Sequence, residues 1–307
     1  MILCCGEALI DMLPRRSTLG ETAFAPYAGG AVFNTAIALG RLGARTGFFS
    51  GLSSDMFGSL LRKELEASQV DCRYLHISPR PTTLAFVQLD DGQASYTFYD
   101  ENTAGRMLTE ADLPALGDEI EAMLFGAISL ISEPAGGAYE ALMRREHGTR
   151  VTMLDPNIRP GFIPDREKHL ARIEAMMAMA DIVKLSDEDL AWFGHTGAPE
   201  DFVRAWLERG PRLIVVTHGG RGATGHTRRG SVSAVPPQVD VVDTVGAGDT
   251  FNGGLLASLS EQGLLTKAAI ASLSGEALHT ALDLAARAAA VTVSRAGANP
   301  PWRRELA

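Results

Sequence analysis

The chain has 307 residues, with 28 basic and 37 acidic side chains, which gives a formal net charge of −9 at pH 7. Hydrophobic residues make up 46% and charged residues 21%, and these ordinary values exclude a disordered, collagenous or fibrous chain. Because the phosphate backbone of nucleic acids needs a basic protein face, and because no apolar run reaches the roughly 20 residues of a membrane span, neither nucleic acid nor membrane is an expected partner. We predict a cytoplasmic protein, since the first residues lack the basic and apolar segments of a signal peptide.

Strands and helices alternate along the predicted chain. The first third predicts strands at 2–12 and 46–52 and helices at 32–42 and 57–67. Two runs, 84–89 and 94–99, then flank Asp90-Asp91-Gly92, a turn sequence typical of a β-hairpin.

The same alternation continues after the hairpin. Strands are predicted at 127–132, 151–155, 182–185, 212–217 and 231–235, and helices at 138–146, 167–180, 201–209 and over much of the chain from 249 onward. This order predicts an α/β fold with a mostly parallel sheet. No shift in composition marks a linker, so we expect one domain. Ligands of such sheets bind beside the carboxyl ends of the strands.

The segment 241–254 has the strongest chemical signal. Gly246, Ala247 and Gly248 leave the backbone bare just before a helix that begins near Asp249. Exposed amides and the helix dipole favour an anion such as a phosphate, and a carboxylate at its rim is suited to accept a proton from an attacking hydroxyl. The alternative is that Asp249 caps the helix and the glycines only make a tight turn. Local physics alone leaves both interpretations open.

Four motifs, in order, resemble those of the PfkB (ribokinase-like) family of carbohydrate kinases. Asp243-Thr-Val-Gly-Ala-Gly-Asp249 resembles the C-terminal signature, and Gly29 to Ala36 resembles the glycine-rich sugar-binding motif. The others are Gly6 to Asp11 and Asp155 to Pro160, the latter similar to fructokinases and 2-keto-3-deoxygluconate kinases. The resemblance covers nearly the whole chain. It implies a single ribokinase-like domain over 1–307, with three α/β/α layers and a small β-sheet lid from about 12–27 and 82–100.

The resemblance also implies roles for particular residues. Asp249 matches the catalytic base, and the amides of Gly246, Ala247 and Gly248 would form an anion hole for the transferring phosphoryl group. The implied sugar-binding residues are Asp11, Gly29, Gly30, Asn34, Phe98, Asn157 and Arg159. Without the resemblance, simpler interpretations would be a strand-end turn for Asp11, a helix N-cap for Asn34 and a surface salt bridge for Arg159.

ATP and Mg²⁺ are the cofactors that the resemblance implies. The nucleotide-binding residues would be Lys184, Ser186, Thr217, Gly219 and Gly222. Ser186-x-x-Asp189 equally fits a helix cap, and both interpretations stay open. By analogy, a monovalent cation such as K⁺ could be held near Asp243, Val245, Thr292, Arg295 and Gly297.

The acceptor is expected to be a neutral sugar. Asp100 follows Phe98-Tyr99 where 2-keto-3-deoxygluconate kinases carry an arginine that binds the acid group, and an aspartate repels a carboxylate. The alternative is that Arg106 compensates for this charge. Fructose, phosphorylated at O6 as the fructokinase resemblance implies, is the leading prediction, followed by 2-keto-3-deoxygluconate, ribose and a nucleoside. A protein that senses sugar or nucleotide without turnover is the alternative from another class. The family also allows a homodimer through the lid.

Overall fold

The computed structural model describes residues 1–90, 93–194 and 198–306. Nine strands form its larger sheet. In spatial order they are Gly230–Ala234 (β15), Ala223–Thr227 (β14), Leu213–Thr217 (β13), Ile182–Ser186 (β12), Val151–Asp155 (β11), Ala122–Gly126 (β10), Ile2–Cys5 (β1), Thr46–Phe49 (β4) and Val70–Asp71 (β6). All neighbours pair in parallel except β13–β14 and β14–β15. The predicted mostly parallel sheet is confirmed.

Helices cover both faces of this sheet. They are Ala31–Arg41 (α1), Met56–Ala67 (α2), Ala135–Glu146 (α3), Arg166–Met179 (α4), Asp187–Trp192 (α5), Pro199–Leu207 (α6), Ala247–Glu261 (α7), Lys267–Ala271 (α8) and Gly275–Val293 (α9). Successive strand residues point to opposite faces. Ile2 and Cys4 therefore pack with α1, α7 and α9, whereas Leu3 and Cys5 pack with α3, α4 and α6. The result is the predicted three-layer α/β/α arrangement.

A second, four-stranded sheet lies apart from the first. Its strands, in order, are Thr22–Gly29 (β3), Leu9–Arg16 (β2), Leu84–Asp90 (β8) and Gln93–Tyr99 (β9). The predicted hairpin strands pair as β8 and β9, while Asp91 and Gly92 of its turn lie outside the described residues. We call these strands the small sheet. A further pair joins Gly51–Ser53 (β5) to His76–Ser78 (β7).

Three predicted strands differ from the observed ones. The strand predicted at 2–12 is divided between the two sheets, because the chain turns at Gly6, where an added Cβ would lie 2.5 Å from Val32 Cγ2. The strand predicted at 46–52 is likewise divided into β4 and β5. The strand predicted at 127–132 is wrong: it occupies Ala122–Gly126, and 127–130 forms a short 3₁₀ turn. That region is apolar almost without interruption, so periodicity could not fix its register.

The helical predictions agree with the structure to within three residues at each end for α1 to α4 and α6. Among the described residues, none of the helices combines the length and the apolar character that crossing a membrane would need.

Candidate active site

The first turn of α7 provides a bare stretch of backbone. Gly246 is the N-cap residue with a φ of 77°, and an added Cβ there would lie 2.6 Å from Ala298 Cβ. The turn therefore requires glycine. The first amides of a helix lack partners inside the helix, although that of Ala247 donates a long 3.3 Å bond to the Thr244 carbonyl. The glycine turn and the helix start that the sequence predicted are therefore present, and the anion site at this turn stays a prediction.

Asp249 lies in this first turn and is 8% exposed. Its Oδ2 accepts a 2.9 Å hydrogen bond from Asn34 Nδ2, and its main-chain carbonyl accepts one of 3.1 Å from Thr35 Oγ1. Burial raises the pKa of Asp249 to about 7, with the Asn34 donor and Lys184 acting against this rise. The carboxylate faces α1 instead of capping its own helix, so the cap interpretation of Asp249 is wrong.

The N-terminus of α1 has a glycine as its N-cap residue, and its first amide is bonded to a carboxylate that is distant in the sequence. Gly30 is the N-cap residue, with a φ of 111° and room for no side chain, since an added Cβ would lie 2.9 Å from the Glu7 carbonyl. Glu7 Oε1 accepts a 2.8 Å hydrogen bond from the Ala31 amide. Asn34 lies one turn into the helix and does not cap it. Its amide is therefore available to Asp249.

The side chain of Asp11 in β2 reaches diagonally to Gly29 of β3, whose register partner is Leu9. An added Cβ at Gly29 would lie 2.3 Å from Asp11 Oδ2, so the glycine makes room for the carboxylate. Burial raises the pKa of Asp11 to about 6. Asp11 lies within a strand and not in a strand-end turn, which makes that alternative wrong.

A buried cluster that the sequence analysis missed lies beside the first turn of α7. Lys184 Nζ contacts Asp155 Oδ2 at 3.1 Å, and Asn252 Nδ2 donates to the same oxygen at 2.6 Å. An added Cβ at Gly248 would lie 3.3 Å from Lys184 Nζ. Two signals were in the sequence: Asp155 begins one of the four motifs, and Asn252 follows Asp249 by about one helical turn.

The loop after β11 carries two of the predicted sugar-binding residues. Asn157 has a φ of 43°, and Arg159 is exposed, with Nη1 donating to the Ile158 carbonyl at 3.0 Å. The surface-salt-bridge alternative for Arg159 has no contact to support it among the residues described.

Asp189 ties this loop to the start of α5. One carboxylate oxygen accepts from the Ile158 amide at 2.7 Å, and the other accepts from the Ser186 amide and hydroxyl. Ser186 Oγ in turn accepts from the Asp189 amide at 3.1 Å. Ser186 and Asp189 thus form a capping box, which is the cap interpretation of this motif. The nucleotide role of Ser186 stays a prediction.

Three more of the predicted nucleotide-binding residues, Thr217, Gly219 and Gly222, lie at the end of β13 and in the loop that follows it. Thr217 ends that strand, is the register partner of Ser186, and donates from Oγ1 to the Leu185 carbonyl. Gly219 and Gly222 have φ angles of 57° and 99°, and an added Cβ at Gly222 would lie 2.1 Å from the Ala234 carbonyl oxygen. The exposed loop therefore holds its shape only with glycine.

The residues suggested for a monovalent cation come from two segments that the fold brings together. Asp243 Oδ1 accepts from the Val245 amide at 3.0 Å and Oδ2 from the Gly297 amide at 2.9 Å. The Thr292 carbonyl accepts from the Arg295 amide at 3.1 Å, and the Arg295 side chain pairs with Glu305. The cation site at these segments stays a prediction.

A cavity of about 540 Å³ lies between the small sheet and the carboxyl ends of the central strands. Phe98 of β9 packs edge-on against Phe162, at 4.6 Å between ring centroids, and both rings line the cavity. Arg106 Nη1 contacts Asp100 Oδ1 at 2.7 Å on the same wall. Arg106 therefore neutralises the charge of Asp100, and its guanidinium is held in this ion pair. Of the predicted sugar-binding residues, all of which the structure describes, Phe98 alone lines this cavity, and Asp249 lies outside its lining.

Comparison with known proteins gives matches along the whole chain. The profile of the pfkB family carbohydrate kinases matches residues 1–304. A fructokinase of Rhizobium leguminosarum bv. trifolii is 60% identical over 283 residues, which cover 92% of this chain and 87% of that protein.

Two solved structures extend the comparison to the fold. A fructokinase from Xylella fastidiosa with bound ATP superposes with a TM-score of 0.90 at 29% identity, covering 99% of this chain and 97% of that one. A fructokinase from Vibrio cholerae O395, in a form with fructose, ADP and calcium ion bound, gives a TM-score of 0.82 at 29% identity over 97% and 94% of the two chains. These matches confirm the predicted fold.

Proposed function

The chain belongs to the pfkB family of carbohydrate kinases and has a ribokinase-like fold, and we propose that it is an ATP-dependent fructokinase that forms fructose 6-phosphate. The observation that carries this proposal is the Asp249 carboxylate. It is buried beside the bare first turn of α7, has a pKa of about 7 and is held by Asn34. A general base works best when its pKa lies near the working pH.

The proposed reaction is a single transfer. The Asp249 carboxylate accepts the proton of the sugar hydroxyl as that oxygen forms a bond to the γ-phosphorus of ATP. The bond from this phosphorus to its bridging oxygen breaks, and ADP leaves with the electron pair. The amides of Gly246, Ala247 and Gly248 would stabilise the charge on the transferring group, since they need no rearrangement to do so.

The sugar would lie between Asp249 and the small sheet. We assign Asp11, Gly29, Gly30, Asn34, Phe98, Asn157 and Arg159 to sugar binding, with Arg159 free to turn toward the substrate or the phosphoryl group. The Arg106–Asp100 ion pair supports a neutral sugar, because it engages the guanidinium of Arg106 that could otherwise bind an acid group. Fructose therefore ranks before 2-keto-3-deoxygluconate, and ribose or a nucleoside come after both.

ATP would extend from the first turn of α7 across the ends of β12 and β13. We assign Lys184, Ser186, Thr217, Gly219 and Gly222 to this nucleotide side. Mg²⁺ would arrive with the nucleotide phosphates. The described residues offer no cluster of three or more acidic, histidine or cysteine side chains that fits a protein-held metal. For K⁺, we assign the two segments that carry Asp243, Val245, Thr292, Arg295 and Gly297, which are joined by the bond from the Gly297 amide to Asp243 Oδ2.

The small sheet is proposed to act as a lid within a single domain over 1–307. Closing it over the sugar would exclude water, which otherwise competes as phosphoryl acceptor. Its exposed aromatic residues, Phe24, Tyr27, Tyr96 and Tyr99, also suit a homodimer formed through the lid, which light scattering of the purified protein would detect. A cytoplasmic location stays a prediction.

The decisive assay couples ADP release to a panel of sugars with ATP. We expect fructose to be preferred, and Asp249→Asn to lower kcat about 10²- to 10⁴-fold while fructose still binds in calorimetry. A strong preference for 2-keto-3-deoxygluconate would contradict the assignment of fructose as the substrate. If the wild-type protein bound fructose and ATP with no turnover, the sensor alternative would replace the kinase.

A further inference from the structure

The position of Lys184 is electrostatically unusual. Its ammonium group is buried, with the residue 4% exposed, and lies beside Gly248 in the first turn of α7. A helix N-terminus carries partial positive charge from its unpaired amides. A cation at this end is therefore unfavourable unless an anion lies between the two.

Asp155 is the carboxylate to which the Lys184 ammonium is hydrogen-bonded, and this bond satisfies only part of the ammonium group. Lys184 donates to Asp155 Oδ2 at 3.1 Å, and the same oxygen accepts from Asn252 at 2.6 Å. Burial lowers the pKa of Lys184, but the carboxylates of Asp155, Asp189 and Asp249 outweigh burial and raise it, so the ammonium stays charged. An ammonium has three N–H donors, and the bond to Asp155 uses one.

The partners of Asp155 are arranged to hold this cation in place. Asp155 ends β11 and Lys184 lies in β12, so two neighbouring strands fix the pair. Asp155 Oδ1 is buried and has no hydrogen-bond partner in the part of the chain that the structure describes, and the same holds for Asn252 Oδ1. Leaving these oxygens unpaired has a cost, which indicates that the pair is retained for what the ammonium contacts and not for stability alone.

We infer that Lys184 contacts the phosphoryl group in transit, and that Asp155 is the positioning residue that aims the ammonium at it. The phosphoryl group would lie between the Lys184 ammonium and the amides at 246–248, opposite the Asp249 carboxylate. This inference rests on the proposed transfer from ATP. It assigns Lys184 to the γ-phosphoryl group, not to the nucleotide as a whole.

Binding of two nucleotides tests the contact without turnover. Calorimetry would compare AMP-PNP, which has a γ-phosphoryl group, with ADP, which lacks it, for wild type, Lys184→Met and Lys184→Arg at constant Mg²⁺. We expect Lys184→Met to weaken AMP-PNP binding at least tenfold and ADP binding less than twofold, because a charge-assisted hydrogen bond to the γ-phosphoryl group is lost. Lys184→Arg should recover most of the difference.

Two further variants keep the test decisive. Lys267→Met is the matched control, because Lys267 pairs with buried Asp181 at 2.7 Å at the amino end of β12, opposite the carboxyl ends of the strands, and both affinities should be unchanged. If Lys184→Met fails to fold, the double variant Lys184→Met/Asp155→Asn removes both charges and gives the same comparison. Equal weakening of AMP-PNP and ADP, or no weakening, would overturn the inference.

The pH dependence of kcat gives an independent measurement. Asn34, Glu7, Asp155 and Lys184 are the groups that act on Asp249. Loss of the cation in Lys184→Met should move the acid limb to higher pH, and loss of the anion in Asp155→Asn should move it to lower pH. Shifts in the same direction, or none, would contradict the positioning role. If the wild type does not phosphorylate fructose, the proposed function fails while nucleotide binding still decides the role of Lys184.

Discussion

At the scale of single residues, the protonation of Asp249 is the controlling property. Burial against α1 raises its pKa to about 7, and only the deprotonated carboxylate can accept the hydroxyl proton. We expect kcat to fall about tenfold for each pH unit below 7, measured with saturating fructose and ATP.

Asn34 should control where this decline begins. Its amide stabilises the ionised carboxylate through the 2.9 Å bond, so Asn34→Leu should move the acid limb of kcat to higher pH. Thr35→Val is the matched control, because Thr35 donates to the main-chain carbonyl of Asp249 and not to the carboxylate. An acid limb that stays in place in Asn34→Leu would show that the base is another group.

At the scale of elements, the N-terminus of α7 depends on the backbone conformation of Gly246. Gly263, just beyond the other end of the same helix, has a similar φ of 69° but no atom within 4 Å of an added Cβ. A side chain at either position would therefore have the cost of a left-handed backbone. At Gly246 it would in addition contact Ala298.

Gly246→Ala and Gly263→Ala separate these two effects. Each should lower the free energy of unfolding by about 1–2 kcal/mol for the left-handed backbone. Gly246→Ala should in addition lower kcat about 10²-fold, since displaced amides no longer match the transferring group. Chemical denaturation and the coupled assay measure both. Equal kcat values in the two variants would contradict an anion hole at this turn.

At the scale of the whole molecule, the buried carboxyl group should reduce stability. A folded pKa of about 7, against an ordinary value of 3.8, means that the folded state binds this proton more tightly than the unfolded state. The contribution to stability is fully present below about pH 4 and is lost as the pH rises through 7.

Asp249→Asn should therefore stabilise the protein at high pH. We expect its free energy of unfolding to exceed that of the wild type by about 2–4 kcal/mol at pH 8 and to equal it near pH 4, measured by urea unfolding across this range. Asp240→Asn, a change of an exposed aspartate, is the matched control. A constant difference from pH 4 to pH 8 would show that the carboxyl group carries no such penalty.

The sequence by itself determined the structural features that depend on residues close together along the chain. The glycine turn at 246–248, the helix that follows it, the α/β class and most helix ends are consequences of local backbone preference and hydrophobic spacing. The family motifs added roles that local physics left open, as with Asp249. The apolar run at 122–128 shows the limit of this reasoning, because it contains no polar residue that would fix where the strand ends.

Tertiary structure alone decided the contacts between distant segments. Asn34 reaches Asp249 across 215 positions and Lys184 reaches Asp155 across 29, and no spacing in the sequence encodes either approach. The same packing removes water from these groups, which is what raises the pKa of Asp249. Burial depends on how the layers pack together. Neither the raised pKa of Asp249 nor the burial of the Lys184 ammonium could therefore be predicted from the sequence.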